Sequence, residues 1–137
     1  MKSKLFTRFA LLGALATSVS ACAVIPDTPI VNNGPAARAG TAVALSQPVW
    51  TGRVVVTPIE VHEDSRCPIN ARCVWAGRAI VLTRIDGAGW REQAYLTLGE
   101  PHEIRNTSVT LTSLEPGRTT DGPVRSADYR FTYEGGN

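Results

Sequence analysis

The chain has 137 residues, of which 43% are hydrophobic and 19% charged, and its formal net charge is +2. Residues 1–21 carry three positive charges and no negative one, so the remainder has 11 basic against 12 acidic residues, a net charge of −1. A near-neutral chain lacks the basic surface that binding to phosphate backbones requires, which excludes nucleic acid as a partner.

The first 21 residues are predicted to be a secretory signal peptide. Three basic residues precede a short apolar run at residues 9–16, and small residues follow it. Such a run is too short to span a bilayer stably. The sequence Val19-Ser-Ala-Cys22 resembles the lipobox of bacterial lipoproteins. This resemblance implies that Cys22 becomes the first residue of the mature chain and carries lipid. It also implies anchoring to the outer membrane, facing the periplasm, because Ala23 stands where inner-membrane lipoproteins commonly have Asp.

Residues 22–40 are predicted to be the lipidated cysteine and a flexible tether. The stretch from residue 23 to residue 40 contains three prolines and two glycines and has no apolar period. This composition is typical of a linker. Residues 41–137 are predicted to form a single domain, which is large enough for one modest hydrophobic core.

After residue 40 the sequence predicts a succession of strands. Runs rich in β-prone residues lie at residues 41–45, 53–62, 73–86, 90–98, 106–114 and 128–134. Pro58 indicates an edge position or a bulge, and residues 86–89 predict a hairpin turn. Alternation predicts an inward face made of Trp90, Ala94, Leu96, Leu98, Val109, Leu111, Tyr129, Phe131 and Tyr133. The sequence therefore predicts an all-β fold, an antiparallel β-sandwich of six or seven strands with immunoglobulin-like architecture.

Two cysteines remain once Cys22 is assigned to lipid. An even pair in an oxidising compartment predicts a disulfide between Cys67 and Cys73. Closing the seven-residue loop would remove chain entropy equivalent to ~2.4 kcal/mol. A redox-active pair more often has C-x-x-C spacing, so the bond is predicted to be structural.

The segment around this pair is the most distinctive part of the chain. Residues 64–77 read Asp-Ser-Arg-Cys-Pro-Ile-Asn-Ala-Arg-Cys-Val-Trp-Ala-Gly. The segment resembles one in small exported bacterial proteins of no assigned activity, with an Asp-Ser-Arg-Cys-Pro start followed by Cys-x-Trp-x-Gly. That resemblance supports the disulfide and the β fold and implies nothing about chemistry.

Two interpretations of this segment are open. In the structural one, Asp64 caps an Asx-turn, and Trp75 lies on the same strand face as Cys73 and covers the disulfide. In the functional one, the closed loop is a recognition surface on a β scaffold. Its candidate residues are Asp64, Arg66, Asn70, Arg72 and Trp75.

The chain has two histidines, which are its candidates for metal binding. His62 and His102, each close to carboxylates, are weak candidates for Zn²⁺ or Cu²⁺ if the fold brings them together. The sequence has no nucleophile elbow and no Gly-rich phosphate loop, and we predict neither catalytic activity nor a cofactor.

The sequence thus predicts a non-enzymatic, lipid-anchored envelope protein of unknown specific role. Its β domain would serve binding or structural support, with the membrane and an envelope protein as the expected partners. The alternatives are a periplasmic protein that binds a metal or a small ligand, and an envelope hydrolase or its inhibitor.

Overall fold

The computed structural model describes residues 34–136. Cys22 and the predicted signal peptide lie outside these residues. The described part contains seven strands and one 3-10 turn at Ser126–Asp128, and none of its helices is long and apolar enough to cross a membrane. The strands are β1 (Val49–Trp50), β2 (Val55–Asp64), β3 (Ala79–Gly87), β4 (Trp90–Thr97), β5 (Pro101–Ile104), β6 (Thr107–Glu115) and β7 (Arg130–Gly135).

The strands form two antiparallel sheets. The first has the order β1-β2-β3-β4 and the second the order β5-β6-β7. The predicted all-β antiparallel sandwich is therefore confirmed, with seven strands. The hairpin turn predicted at residues 86–89 is confirmed as well, because Gly87 pairs with Trp90 across a two-residue turn.

The core lies between the two sheets, and the predicted alternation is confirmed. Leu96, Val109, Leu111, Tyr129, Phe131 and Tyr133 are buried, and Trp90, Ala94 and Leu98 pack against them. The hydroxyls of Thr83 in β3 and Tyr133 in β7 lie 3.0 Å apart, so a hydrogen bond joins the sheets inside the apolar layer. Burial raises the pKa of Tyr133, which keeps the phenol neutral in the core.

Several predicted boundaries are wrong, and tertiary contacts explain why. The strand expected at 73–86 begins only at Ala79, and residues 41–45 contribute a single bridge, from Val43 to Phe131. Gly77 has φ +68°, and a Cβ there would lie 1.8 Å from the Ser65 carbonyl oxygen. Residues 73–78 therefore form a loop packed closely against the backbone at Ser65 and are not an extended strand.

Two details at the β1 side of the first sheet bear on how the domain is held. The predicted bulge at Pro58 is present, since the β2–β3 register shifts between Pro58 and Glu60. Ala37 forms a parallel bridge with Val49, and its carbonyl accepts a 2.8 Å bond from the Trp50 N–H. Ala37, which precedes the predicted boundary at residue 41, therefore takes part in the backbone contacts of the domain.

Candidate functional site

The candidate site lies in the loop that joins β2 to β3. We call residues 65–78 the disulfide loop. The predicted bond between Cys67 and Cys73 is confirmed, with Cα atoms 5.8 Å apart. Two backbone bonds close the base of the loop, from the Ser65 N–H to the Arg78 carbonyl at 2.8 Å and from the Cys67 N–H to the Ala76 carbonyl at 2.9 Å. The loop is thus closed by covalent and by hydrogen bonds.

An ion pair fixes the start of the disulfide loop. The Arg66 Nε and Nη2 atoms lie 2.8 and 2.9 Å from the two Asp64 carboxylate oxygens. The same guanidinium donates to the carbonyls of Leu114 and Pro116, at the end of β6. The Asp64 side chain is 7% exposed and that of Arg66 17%. These two residues tie the loop to the second sheet and are not displayed, contrary to their place in the predicted recognition surface.

The electrostatics of this pair follow from its surroundings. Burial alone raises the pKa of Asp64, but hydrogen bonds from Arg66 and from the Tyr129 hydroxyl, 2.9 Å away, outweigh it and hold that pKa below the ordinary value. Burial and the same carboxylate raise the pKa of Tyr129 to about 12. The predicted Asx-turn is present as a 3.4 Å contact from the Arg66 N–H to Asp64 Oδ1. The carboxylate therefore acts as an ionised structural acceptor.

A second set of bonds holds the middle of the disulfide loop. The Asn70 amide donates to the Thr120 hydroxyl at 2.8 Å and accepts from the Thr120 N–H at 3.0 Å. Nearby, Arg118 donates to the Arg66 carbonyl at 2.8 Å and accepts, through its own carbonyl, the Ile69 N–H at 2.9 Å. The loop is therefore fastened to the segment that follows β6. The Asn70 amide is used within the protein.

Three large apolar side chains of the disulfide loop are exposed. Ile69 is 77% exposed, Val74 93% and Trp75 82%. Arg72 is also exposed. The prediction that Trp75 covers the disulfide is wrong, because residues 73–77 do not form a strand and Trp75 points away into solvent. Of the five predicted recognition residues, Arg72 and Trp75 are the ones whose side chains remain free to meet a partner.

The two histidines lie on different sheets. His62 is in β2 and contacts the ring of Tyr95 in β4, with centroids 4.8 Å apart. His102 is in β5 and pairs with Val109. Among residues 34–136, no group of three or more His, Cys, Asp or Glu side chains is arranged to hold a metal ion.

Sequence reasoning missed an open cavity of about 450 Å³ at the opposite end of the sandwich. We call this the hairpin end. The cavity is lined by Arg53, Val54, Gly87, Ala88, Trp90, Arg105, Asn106 and Thr107. The Arg105 guanidinium lies 4.7 Å from the centre of the Trp90 ring and is paired with Glu92. These residues come from three separate turns, so no local pattern in the sequence marks the cavity.

The backbone at this cavity has an uncommon feature. Arg105 has φ +51° in the two-residue turn between β5 and β6, where glycine or asparagine is the usual residue. Its conformation places the side chain across Trp90. Guanidinium groups at an open rim suit carboxylate or phosphate ligands. Two of them, those of Arg53 and Arg105, line this cavity, and Glu92 already neutralises that of Arg105.

Comparisons of the chain with family models, with curated proteins and with solved structures found no match. Its function is therefore inferred from the geometry of the disulfide loop and of the cavity, together with the amino-terminal sequence.

Proposed function

We propose that this chain is a non-enzymatic, lipid-anchored protein of the bacterial cell envelope, held in the outer membrane through Cys22. Its β-sandwich lies on the periplasmic side of the outer membrane and presents the disulfide loop as a contact surface. One observation carries this proposal: three large apolar side chains are exposed on a loop that a disulfide and backbone hydrogen bonds close.

A fixed apolar loop suits binding for two physical reasons. Large side chains such as Trp75 and Ile69 contribute to binding because their apolar surface is removed from water when the complex forms. The disulfide and the Asp64–Arg66 pair order the loop in the free protein, so less conformational entropy is lost on binding. An exposed apolar group without a partner would instead favour aggregation.

Two sequence features support the location. The Val19-Ser-Ala-Cys22 sequence has the pattern of a lipidation signal. The Cys67–Cys73 bond suits an exported protein, because disulfides persist in oxidising compartments and are rare in the cytosol.

Intact-mass analysis of the membrane-extracted chain tests the anchor. We expect a chain that starts at Cys22 and carries acyl groups, while a Cys22→Ser variant stays unacylated and leaves the membrane fraction. An unmodified wild-type chain would contradict the anchor.

Photo-crosslinking in cells tests the contact surface. A photoreactive residue at Val74 is expected to give adducts with envelope components, since this side chain is the most exposed of the three. The matched control is the same residue at Gln93, which is exposed on β4 in the first sheet. Equal adduct yields at both positions would remove the disulfide loop as the contact surface.

A second function, binding of a small anionic ligand, is favoured by the cavity at the hairpin end. Arg53 and Arg105 line it, and Trp90 is in its wall. Thermal-shift titration with citrate and with inorganic phosphate tests it. Stabilisation that Arg53→Gln abolishes and Arg38→Gln does not would support this function, and no stabilisation would remove it. Titration with Zn²⁺ and Cu²⁺, repeated in His62→Ala and His102→Ala, tests the metal-binding alternative in the same assay.

A further inference from the structure

We propose that the disulfide loop docks on the lipid bilayer that holds the Cys22 anchor, so that the domain lies loop-first on its own membrane. This inference rests on the proposed lipid anchor and names the surface that the loop contacts. Its occupant is a phospholipid interface, and not a protein or a second copy of this chain.

The chemistry of the loop fits an interface between water and lipid. Trp75 and Val74 are almost fully exposed and adjacent in sequence, and Ile69 belongs to the same disulfide-closed loop. Tryptophan favours the headgroup level of a bilayer because its ring is apolar and its N–H is polar. Exposed Arg72 in the same loop can pair with lipid phosphates while its aliphatic stem lies against acyl chains.

The internal bonding of the loop removes the main obstacle to such docking. Polar groups that enter a membrane interface without partners lose hydrogen bonds to water. Here the Asp64 carboxylate, the Arg66 guanidinium and the Asn70 amide all bond within the protein. Docking therefore presents a mostly apolar tip, and the charged pair stays behind it.

The first described residues enter the domain from the side of the disulfide loop. Ala37 pairs in parallel with Val49 of β1, and β1 runs antiparallel to β2. The chain therefore approaches Ala37 from the end of the sandwich at which β2 finishes, and the disulfide loop follows β2. The hairpin end lies at the opposite end of β3.

The distances allow loop and anchor to reach one bilayer together. Ala37 pairs with Val49, which pairs with Val56 of β2, so Ala37 is level with Val56. Val56 and Asp64 pair with Ile85 and Ala79 of β3, six residues apart, so Asp64 lies about 20 Å further along the sheet. Residues 22–36 number 15 and can extend at most about 50 Å. A tether of this length keeps the loop at a millimolar effective concentration near the surface, on the scale typical of short linkers. Weak intrinsic affinity of the loop for lipid is then enough.

The test uses the full lipidated chain in phosphatidylethanolamine–phosphatidylglycerol vesicles that contain phospholipids brominated on their acyl chains. Bromine quenches tryptophan only at close range. We expect quenching in the wild-type chain and near-background quenching in Trp75→Phe, because Trp50 belongs to β1 and Trp90 lines the cavity at the hairpin end. Trp50→Phe is the matched control and should retain the quenching. Quenching that Trp75→Phe leaves unchanged would overturn the inference, as would its absence in the wild type.

A second arm separates this inference from the proposed anchor. The Cys22→Ser chain, added to the same vesicles at millimolar lipid, should bind weakly and lose binding in the Trp75→Ala double variant. That result supports the loop contact even if the native chain proves to be unlipidated. No binding by Cys22→Ser at any lipid concentration, or Val74 photo-crosslinks only to a protein or to a second copy of this chain, would overturn the docking while leaving the anchor intact.

Discussion

The two ends of the sandwich place their large apolar side chains in opposite ways. At the disulfide loop, Asp64 and Arg66 turn inwards and are nearly buried, while Val74 and Trp75 point into solvent. At the hairpin end, Trp90 packs inwards against the core. A carboxylate is buried there too, that of Asp86, and it is paired with Arg84 and Arg91. The inward tryptophan of the hairpin end follows the usual rule for a soluble domain.

This difference shows what the disulfide provides. A loop whose own apolar residues face outwards gains little from hydrophobic burial, so other bonds must hold it in place. In the disulfide loop these are one covalent bond, one ion pair and bonds to backbone carbonyls. The hairpin end also contains an ion pair, between buried Asp86 and the guanidinium groups of Arg84 and Arg91, but its tryptophan packs against the core. The outward apolar surface is therefore maintained by a dedicated scaffold.

The largest expected effect breaks that scaffold. Arg66→Ala leaves the Asp64 carboxylate with the Tyr129 hydroxyl and without its cation, and removes a donor from two carbonyls. We expect a loss of about 3 kcal/mol in the free energy of unfolding, measured by urea denaturation. The control is Arg78→Ala, which removes an exposed pair with Glu63 and should change little. Equal effects of the two variants would contradict the structural role of Arg66.

Removing the disulfide is expected to have the next largest effect. The Cys67→Ser, Cys73→Ser chain should lose about 2 kcal/mol, chiefly because its unfolded state is no longer constrained. Amide hydrogen exchange should speed up most in residues 65–78, which open locally, while the slowest amides of the β3–β4 hairpin should accelerate only by the factor that the loss of global stability sets. Equal acceleration across the domain would show that the loop opens only when the whole domain unfolds.

The tryptophans give a direct comparison of the two ends. Trp90→Ala should cost about 2 kcal/mol, because the half-buried ring packs against the core and lies over Gly87. Trp75→Ala should change stability by less than about 0.5 kcal/mol, since its side chain is almost fully exposed. Thermal unfolding of both variants measures this. A large loss in Trp75→Ala would mean that its ring supports the fold and is not held ready for a partner.

A pH dependence is expected from Asp64, whose folded pKa lies below its ordinary value. Because the folded pKa is lowered, the ionised carboxylate stabilises the folded protein at pH values above the unfolded pKa of Asp, near 3.9. This stabilisation is lost as the pH falls through the folded pKa. Urea midpoints measured from pH 6 to pH 2 should therefore fall at the acid end in the wild type and more shallowly in Asp64→Asn. Glu63→Gln serves as the exposed-pair comparison. Parallel curves for wild type and Asp64→Asn would refute the assignment.

The smallest effect concerns Arg105. Arg105→Gly relieves the left-handed backbone but removes the contact with Trp90 and the bond to Glu92. These contributions are similar in size and opposite in sign, so the net change should stay within about 0.5 kcal/mol. A clear gain in melting temperature would show that the arginine is kept at a cost in stability, which would strengthen a binding role for the cavity.

Local patterns were enough to predict most of the fold. The alternation through Tyr129, Phe131 and Tyr133 correctly identified a strand and its buried face, and the turn at residues 86–89 correctly identified a hairpin. β1 and β5 have two and four residues, too few for periodicity to mark them, and they exist because longer strands pair with them.

The disulfide of the loop was predicted correctly, but the orientation of the side chains around it was not. The sequence paired Cys67 with Cys73 by cysteine count once Cys22 was assigned to lipid, and the segment around the pair offered Asp64, Arg66, Asn70, Arg72 and Trp75 as candidates. It could not show that Arg66 turns inwards, because the carbonyls that receive it are 48 and 50 residues further along the chain. For the same reason Trp75 was expected to lie over the disulfide, and its exposure depends on a backbone path set by contact with Ser65.

The β1 side of the first sheet has a consequence for crowding. β1 pairs with β2 only at Val55 and Val56, and β2 continues for eight further residues. An uncovered strand edge invites pairing with another chain. Here the Ser46 N–H bonds the Pro58 carbonyl at 2.8 Å, and Pro58 itself has no N–H to donate. The β2–β3 register shifts between Pro58 and Glu60 and again between Val61 and Glu63, and exposed Glu60 adds negative charge. Molecules at a high local concentration thus remain separate instead of growing into a shared sheet.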